Sequence, residues 1–354
     1  MFRPSQFRAL VSGQQGGLVA AVLRAGLRLA EAPYAAAVRA RNALYDRHLA
    51  RIHHLPIPVL SVGNLTLGGT GKTPMVAWLV RWFQQRGVKP AIVSRGYGAA
   101  HGHENDEALE LRQRLPDVPH FQSPDRVGAA RSALQTTGCQ VIVLDDAFQH
   151  RRIARHLDVV MLDALEPFGF GHVFPRGTLR EPVAGLGRAQ VVVLSRAPML
   201  PRAERESVRQ VVLGYSPRAV WAETAHAPRA LRASSGLEAP LATVAGQAIA
   251  GFCGLGNPAG FRHTLAACGG RLVAFREFPD HHRYTKADID ALSDWAGHLD
   301  IAAVVCTQKD LVKLGVDRLG DVPLWALAVE LDFLAGQAEL EDRLDALVAR
   351  RAVP

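Results

Sequence analysis

From residue 56 onward, short runs of apolar, mostly β-branched residues alternate with longer stretches of helical periodicity. The apolar runs predict strands at Val59–Val62, Ala91–Ser94, Val141–Leu144, Val159–Leu162, Val191–Leu194, Ile249–Phe252, Leu272–Phe275, Ala302–Cys306 and Leu324–Val329. The periodic stretches predict helices at Lys72–Gln85, Asp125–Gln135, Ala203–Leu213, Ala259–Ala267, Lys286–Leu299 and Gln337–Arg350. Strands that are apolar throughout are typical of parallel sheets, because helices cover both of their faces. The pattern therefore predicts an α/β fold with a doubly wound, mainly parallel sheet.

The segment before residue 56 has an amphipathic pattern instead. At 100° per residue, an apolar face and a charged face lie opposite each other. The apolar face consists of Leu18, Val19, Val22 and Leu29, and the charged face of Arg24, Arg28 and Glu31. Pro33 is expected to interrupt this helix, and an arginine-bearing helical pattern resumes over Tyr34–Arg51. Such a helix either packs on the protein's own core or lies in a membrane interface, and the segment alone favours packing.

The length and the texture of the chain indicate two domains after the N-terminal segment. The chain has 354 residues, and a domain takes roughly 150. The stretch Ser216–Gly246 is rich in Ala, Pro and Ser and has weak periodicity, so we place the domain junction there. The predicted organisation is a helical segment at 1–55, a core domain at 56–220 and a smaller α/β domain at 221–354. The last helix either stays in the smaller domain or returns to the core.

Charge is concentrated at the front of the chain. The whole sequence has 41 Lys+Arg against 33 Asp+Glu, a net charge of +8. Residues 1–55 hold eight arginines and two acids, which is +6, so the remainder contributes only +2. A nucleic-acid-binding protein more often carries its basic stripe on the folded body, so we expect no nucleic-acid partner. The four cysteines form no CxxC pair, which argues against a zinc site or a disulfide framework.

A phosphate-binding motif follows the first predicted strand. It consists of Thr66, Leu67, Gly68, Gly69, Thr70, Gly71, Lys72 and Thr73. Backbone N–H groups of such a loop bind phosphate at a helix N-terminus, Lys72 would reach the β- and γ-phosphates, and Thr73 would hold Mg²⁺. The loop departs from G-x-x-x-x-G-K-[ST] at its first position, where Thr66 replaces glycine. The order of strand, loop and helix favours a P-loop NTPase-like core over a plain glycine-rich turn.

Two carboxylates follow a later buried strand. Asp145 and Asp146 come directly after Val141–Leu144. Ligands of open α/β sheets gather at the carboxyl ends of the strands, and a P-loop enzyme needs a second acidic anchor for its metal. We therefore expect a magnesium site here rather than a solvated turn. Which of the two carboxylates binds the metal directly stays open.

Further short motifs run along the chain in a fixed order. They are VGNLTLGGTGKTP at 62–74, SRGYG at 94–98, DDAFQH at 145–150, PRGTLREP at 175–182, GLGNP at 254–258, FPDHH at 278–282 and TQKD at 307–310. Together they resemble the tetraacyldisaccharide 4′-kinase, or lipid A 4′-kinase, family over nearly the whole chain. The resemblance implies transfer of the ATP γ-phosphate, with Mg²⁺, to the 4′-hydroxyl of a tetraacylated glucosamine disaccharide 1-phosphate. It also implies work at the cytoplasmic face of the inner membrane of a Gram-negative bacterium.

The resemblance assigns catalytic roles residue by residue. The family's catalytic acid lies in a Gly-Asp-Glu motif, which corresponds to Asp106 here, although Asn105 replaces the glycine. Asp106 would then be the base that accepts the hydroxyl proton, and Lys72 would act on the transferred phosphate. The family's Asp-His motif implies His281 as the partner of Asp106, with His282 as the adjacent alternative. The other interpretation of Asp106 is an exposed loop acid.

The remaining assignments concern phosphate, substrate and metal. By the same resemblance, the residues near phosphate or substrate are Arg95, Arg126, Arg180, Tyr97, Gln149 and His150. Glu181 is implied as a further acid on the magnesium side. Thr307–Asp310 is equally consistent with a contact to the adenine ring and with a cap on a strand–helix turn.

A lipid substrate changes the interpretation of the N-terminal helix. An enzyme that phosphorylates an acylated disaccharide has to reach a headgroup at a membrane surface, so the helix becomes a predicted membrane contact. Removal of residues 1–35 is then expected to release the protein from membranes. Two alternatives stay open: a P-loop GTPase or ATPase switch, which includes a metallochaperone-like nucleotide hydrolase, and a non-catalytic nucleotide-binding scaffold at the membrane.

Overall fold

The computed structural model describes residues 4–96, 106–280 and 282–350. Its α-helices are α1 (Pro4–Val11), α2 (Leu18–Asp46), α3 (Lys72–Gln85), α4 (Asp106–Arg114), α5 (Arg126–Thr137), α6 (Arg202–Tyr215), α7 (Pro258–Ala266), α8 (Lys286–Gly297), α9 (Gln308–Leu314) and α10 (Gln337–Arg350). Its strands are β1 (Val59–Asn64), β2 (Pro90–Ser94), β3 (His120–Gln122), β4 (Val141–Asp145), β5 (Leu157–Asp163), β6 (Val191–Ser195), β7 (Val220–Arg232), β8 (Glu238–Ala239), β9 (Ala248–Cys253), β10 (Arg271–Glu277), β11 (Ala303–Thr307), β12 (Arg318–Leu319) and β13 (Val322–Ala335).

The chain divides into two compact units that are discontinuous in sequence. Unit 1 takes its residues from Met1–Gly98, Asp117–Ala225 and Phe333–Pro354, and unit 2 from Ala99–Pro116 and His226–Asp332. The chain passes from one unit to the other within β7 and again within β13. This division differs from the predicted boundaries in that α4, which begins at Asp106, belongs to unit 2. The last helix, α10, belongs to unit 1.

The strands of unit 1 form a parallel sheet in the order β7-β6-β5-β1-β4-β2-β3. Strands β1, β2, β4, β5 and β6 are buried along their whole length, as their continuous apolar sequences predict. In the register of β1 with β4, Val62 lies opposite Asp145. The polar residues that end these strands therefore meet at one edge of the sheet. The predicted α/β class with a mainly parallel sheet is confirmed.

Helix α3 lies against this sheet, and residues from the last part of the chain cover its other side. It buries an apolar face that includes Met75, Leu79 and Phe83. On its exposed side, the ring of Trp78 lies 4.8 Å from that of Phe333, between centroids. Near its end, Arg86 Nε donates to Asp345 Oδ1 of α10 at 3.3 Å. The helix that follows the phosphate loop thus belongs to the packed body of unit 1.

Helix α2 is continuous, so the predicted interruption at Pro33 is wrong. Proline removes one backbone hydrogen bond from a helix, but contacts on either side of it tie this helix to the body of unit 1. Glu31 accepts from Val173 N at 2.8 Å and lies 3.0 Å from His172 Nδ1. Tyr34 donates its hydroxyl to the carbonyl oxygen of Arg180 at 3.2 Å. Tertiary contacts therefore outweigh the local helix-breaking preference.

The two faces of α2 are arranged opposite to those of an ordinary surface helix. Part of its polar face, represented by Glu31 and Asn42, contacts the protein. The apolar face is exposed: Leu18 by 81%, Val19 by 74%, Val22 by 62% and Leu29 by 79%. Among the residues described, no helix has the length and apolar character that crossing a membrane requires.

In unit 2, strands β10, β9, β11 and β13 pair in that order and are parallel, with β12 antiparallel to β13. Its core includes Phe252, Leu292, Val304 and Leu311, contributed by strands β9 and β11 and helices α8 and α9. Helix α4 packs against α9. Unit 2 is thus an α/β unit with its own hydrophobic core.

Candidate active site

The phosphate loop joins β1 to α3 and is anchored by a neighbouring segment of unit 1. Gly71 precedes the helix in a left-handed conformation, with φ of 82°, which a residue with a Cβ adopts only with strain. Leu67 N donates to the carbonyl oxygen of Thr178 at 2.7 Å, and Arg180 N donates to that of Leu65 at 2.6 Å. This pairing brings the side chain of Arg180 to the loop. The predicted strand, loop and helix order is confirmed.

The turn that contains the two aspartates lies directly against β1. Ala147 N donates to the carbonyl oxygen of Val62 at 3.2 Å. A Cβ at Gly63 would lie 2.6 Å from both N and Cβ of Phe148, closer than atoms can approach. Gly63 is therefore required by this close approach. It lets the segment after Asp146 pack on the strand that leads into the phosphate loop.

Three predicted cationic residues surround Asp146, which itself has a left-handed backbone with φ of 46°. Arg180 Nη1 contacts both carboxylate oxygens, at 2.8 and 2.9 Å, and Lys72 Nζ lies 3.4 Å from Oδ1. Arg126 Nη1 donates to the backbone carbonyl of Asp146 at 3.0 Å. Burial alone would raise the pKa of Asp146, but the charges of Lys72, Arg180 and Arg126 outweigh it and hold the pKa well below its ordinary value. Asp146 is therefore ionised.

Positive charge exceeds negative charge around this turn. Arg126 is buried, and burial lowers the pKa of its guanidinium, while Asp146 and Asp145 act in the opposite direction. Arg95, exposed at the end of β2, lies close enough that its charge also lowers the pKa of Arg126. The cations are Lys72, Arg95, Arg126 and Arg180, and the acids are Asp145 and Asp146. The excess of positive charge beside the phosphate loop favours an anionic ligand.

Glu181 belongs to a separate, buried network. Its carboxylate accepts from Arg188 Nη2 at 2.8 and 2.9 Å, from Gln149 Nε2 at 3.0 Å and from Asn42 Nδ2 at 2.9 Å. Gln149 Nε2 also donates to the backbone carbonyl of Asn64 at 2.8 Å. Within the ranges the structure describes, no three His, Cys, Asp or Glu side chains lie together as a metal-binding group. The structure thus joins Glu181 to Gln149 and α2 rather than to the aspartate pair.

His150 is held neutral by its surroundings. Burial, followed by the charges of Arg126, Arg152, Arg155 and Arg41, lowers the pKa of His150 to about 4. A neutral imidazole offers a hydrogen bond but no positive charge to a phosphorylated ligand. Its predicted place near the ligand is therefore compatible with polar contacts to a sugar or a nucleotide.

We expect this pKa to make the protein less stable in mild acid. Between pH 6.5 and about 4, the unfolded chain binds a proton at His150 that the folded chain does not, so stability falls as the pH falls. Allowing for partial exposure, the loss at pH 5 should be about 1–2 kcal/mol. Urea unfolding at pH 7 and pH 5 measures it. His150→Gln should remove this part of the pH dependence and the exposed His54→Gln should keep it; equal curves for the two variants would contradict the assignment.

In unit 2, the described neighbours of position 281 are anchored to α8 and α9. His282 Nε2 lies 3.3 Å from Asp288 of α8, and its ring packs against Phe278 and Tyr284. Lys309 Nζ donates to Asp280 Oδ1 at 3.3 Å. Tyr97, His281 and the side chain of Asp106 lie outside the described residues. His282 therefore lies within ion-pair distance of Asp288.

The Thr307–Asp310 motif forms a cap. Thr307 is the N-cap of α9, and its hydroxyl accepts from Asp310 N at 3.1 Å. Asp310 is 0% exposed. Its carboxylate accepts from Thr307 Oγ1 at 2.6 Å, Tyr284 Oη at 3.1 Å and Gly254 N at 3.1 and 3.2 Å. Of the two predicted roles, these contacts favour the cap, because the carboxylate is enclosed within unit 2.

Sequence reasoning missed several residues that hold the loop. Arg196 Nη2 donates to the carbonyl oxygen of Gly69 at 2.8 Å and lies 2.6 Å from Asp163 Oδ2. Asn64 Nδ2 donates to the carbonyl oxygen of Gly68 at 3.3 Å. A signal was present, because Asp163 follows one predicted apolar strand directly and Arg196 follows another after Ser195, where the site of a parallel sheet lies. The aspartate pair was recognised from that position, and these two residues were not.

Fold and site together define a P-loop protein of the α/β class, with a loop and a cationic cluster suited to nucleotide phosphates. A sequence model of the tetraacyldisaccharide-1-phosphate 4′-kinase family, LpxK, matches residues 23–349, and the chain belongs to this family. The tetraacyldisaccharide 4′-kinase of Anaeromyxobacter sp. (strain K) is 40% identical, over 96% of this chain and 95% of that protein. That of Halothermothrix orenii is 33% identical, over 89% and 90%.

A solved structure agrees. The crystal structure of LpxK from Aquifex aeolicus in complex with ATP matches with a TM-score of 0.72 and 27% identity, and the match covers 92% of this chain and 99% of that one. The family predicted from the motifs is therefore confirmed, and the comparisons favour a kinase over a nucleotide-hydrolysing switch.

Proposed function

We propose that the protein transfers the γ-phosphate of ATP to the 4′-hydroxyl of a tetraacylated glucosamine disaccharide 1-phosphate in lipid A synthesis. The observation that carries the proposal is the cluster of Lys72, Arg126 and Arg180 around Asp146, directly beside the phosphate loop. Family membership supplies the acceptor. Phosphoryl transfer depends mainly on positioning and on stabilisation of charge, and this cluster provides both.

In the proposed reaction, the loop N–H groups and Lys72 bind the β- and γ-phosphates. Arg126 and Arg180 stand where guanidinium groups can brace the transferring phosphoryl group, with Asp146 holding Arg180 and Lys72 in place. Asp106, partnered by His281, accepts the proton of the 4′-hydroxyl as the oxygen attacks phosphorus, and ADP leaves. Arg95, Tyr97, Gln149 and His150 contact substrate or nucleotide.

The donors beside the loop also fit Mg²⁺. Asp145 is buried at the carboxyl end of β4, opposite Val62 of the strand that enters the loop, and Thr73 lies in the first turn of α3. Carboxylate and hydroxyl oxygens are the ligands that Mg²⁺ prefers, and such sites use only one or two protein carboxylates beside the substrate phosphates. We propose Thr73 and Asp145 as its protein ligands, with Glu181 in a supporting network. The ion would neutralise phosphate charge.

A direct assay tests the function. Purified protein, ATP and tetraacylated disaccharide 1-phosphate should yield a bisphosphorylated lipid, and Asp106→Asn and His281→Asn should each slow its formation. Nucleotide hydrolysis that is indifferent to the lipid, and stronger with GTP than with ATP, would sink the proposal. The enclosed carboxylate of Asp310 argues against the GTP alternative, because a base-reading carboxylate has to face its ligand.

We further propose that the apolar face of α2 lies on the cytoplasmic surface of the inner membrane. The face is exposed while polar residues of the same helix hold it to the protein, and exposed Arg28 adds positive charge that attracts anionic headgroups. Removal of residues 1–35 would test this contact, but it would also remove Leu10 and Val11, which are buried in the protein, and so disturb the packing. Substitutions on the exposed face of α2 leave these buried residues in place.

The double variant Leu18→Glu/Leu29→Glu should therefore weaken sedimentation with phosphatidylglycerol vesicles by more than about 10-fold, because burying each leucine is worth about 1.5–3 kcal/mol. The control Leu237→Glu/Leu334→Glu changes two leucines that are 63% and 50% exposed outside α2. It should sediment as the wild type does. Equal binding by both variants would refute a membrane contact through α2.

A further inference from the structure

Two consecutive carbonyl groups of the phosphate loop are held by side chains from outside the loop. The carbonyl oxygen of Gly68 accepts from Asn64 Nδ2 at 3.3 Å, and that of Gly69 accepts from Arg196 Nη2 at 2.8 Å. The first donor comes from the strand that enters the loop. The second, Arg196, is a buried arginine that follows the carboxyl end of β6. None of the sequence motifs included it.

Arg196 is itself held by an acid on the neighbouring strand. Its Nε donates to Asp163 Oδ1 at 3.1 Å, and its Nη2 lies 2.6 Å from Oδ2, a bidentate pair. Asp163 ends β5 and lies opposite Ser195 in the register with β6. Arg196 also has a left-handed backbone, with φ of 55°, which is unfavourable for a residue with a Cβ. Such a conformation persists when its surroundings fix it, and it occurs often at functional sites.

The hydrogen bond to Gly69 sets the direction of the next N–H group. In a trans peptide the C=O of one residue and the N–H of the next point to opposite sides. The N–H of Thr70 is therefore turned away from Arg196. Glycine at 69 leaves this peptide free to rotate unless something holds it, because no Cβ limits its backbone. Loop N–H groups are the donors that bind phosphate in a P-loop.

We propose that Arg196 is a positioning residue of the nucleotide site. Clamped by Asp163, it fixes the Gly69–Thr70 peptide so that the N–H of Thr70 faces the β- and γ-phosphates of ATP. Arg196 acts through the loop and not by touching the nucleotide. The inference rests on the proposed binding of ATP at this loop.

Nucleotides of different phosphate length test the proposal. Arg196→Met should raise the Kd of ATP about 10-fold, the effect of losing a preorganised hydrogen bond to charged phosphate. The Kd of AMP should change by less than about 2-fold. AMP lacks the β- and γ-phosphates, so it makes no hydrogen bond with the Thr70 N–H in either protein. In turnover, the KM for ATP should rise while the KM for the lipid stays the same. Arg196→Lys should be intermediate, since one ammonium replaces the fork of donors.

A matched control separates positioning from general destabilisation. Arg205→Met breaks an ion pair with Glu223, on the strand next to β6, without contact to the loop. It should bind both nucleotides as the wild type does. Where Arg196→Met does not melt cooperatively, Asp163→Asn replaces it, because this variant keeps the arginine and weakens its clamp. The same selective loss of ATP binding is expected.

Unchanged ATP affinity in the substituted protein overturns the inference, and so does an equal loss of ATP and AMP affinity. These outcomes differ from failure of the proposed function. That failure would appear in the wild-type protein itself, as absence of ATP binding or of lipid phosphorylation.

Discussion

Lys72→Met is expected to lower kcat for lipid phosphorylation by about 10³-fold or more, because the variant removes the cation that we propose to face the transferred phosphate. Lys72 is only 8% exposed, and its Nζ lies 3.4 Å from Asp146 Oδ1 at the mouth of the loop. The ammonium is thus already held in place before nucleotide binds. Methionine has a similar length without the charge, so the fold should be retained.

The measurement is steady-state phosphorylation with saturating ATP and lipid. The control is Lys89→Met, which removes the same charge from an exposed position between α3 and β2 and should leave kcat unchanged. Asp146 should remain ionised in Lys72→Met, because Arg180 still contacts both of its oxygens. A kcat within about 10-fold of the wild type would show that Lys72 has no part in the chemistry.

The second large effect separates the two aspartates. Asp145→Asn should lower activity by about 10³-fold and shift the Mg²⁺ requirement to higher concentration, because the amide removes the charge proposed to bind the metal. Asp146→Asn should also lower activity, but through the misplacement of Lys72 and Arg180, which lose their common counter-charge. Its Mg²⁺ requirement should stay that of the wild type.

Activity titrated against Mg²⁺ at fixed ATP distinguishes the two variants, and each serves as the matched control of the other. They are adjacent, isosteric and equal in charge change, yet Asp146 pairs with Lys72 and Arg180 whereas Asp145 is buried at the end of β4. A shifted Mg²⁺ requirement in Asp146→Asn alone would reverse the assignment of the metal ligand.

The elements and site residues that could be predicted from the sequence were those with a local sequence pattern. Strands β1, β4, β5 and β6 are uninterrupted apolar runs, and their burial on both faces follows from that. The phosphate loop has a short, ordered signature, and the aspartate pair could be placed because the carboxyl ends of parallel strands meet at one edge. These four strands therefore agreed with the structure to within two residues at each end.

Elements determined by distant contacts escaped prediction. Strand β7 runs for 13 residues through a stretch interpreted as a junction, because Pro228 and weak periodicity argue locally against a strand. Helix α2 continues through Pro33 because tertiary contacts hold both sides of it. Helix α4 joins unit 2 through its packing on α9, which no periodicity reveals.

At the candidate site, the sequence likewise indicated which residues to consider but not which residues they pair with. The motifs identified Arg180, Asp146 and Glu181, but not that Arg180 pairs with Asp146 while Glu181 accepts from Arg188. Ion-pair partners are chosen by distance after folding, so spacing along the chain does not reveal them. The clamp formed by Arg196 and Asp163 was missed for that reason.

The discontinuity of unit 1 has a consequence for the order in which the protein is made. Helix α3 emerges from the ribosome early. Its partners are synthesised more than 200 residues later: Phe333, which packs on Trp78, and Asp345, which pairs with Arg86. Until then the ring of Trp78 lacks this cover, and transiently exposed apolar surface makes a nascent chain prone to aggregation. Unit 1 can complete its packing only after the whole of unit 2 has been translated.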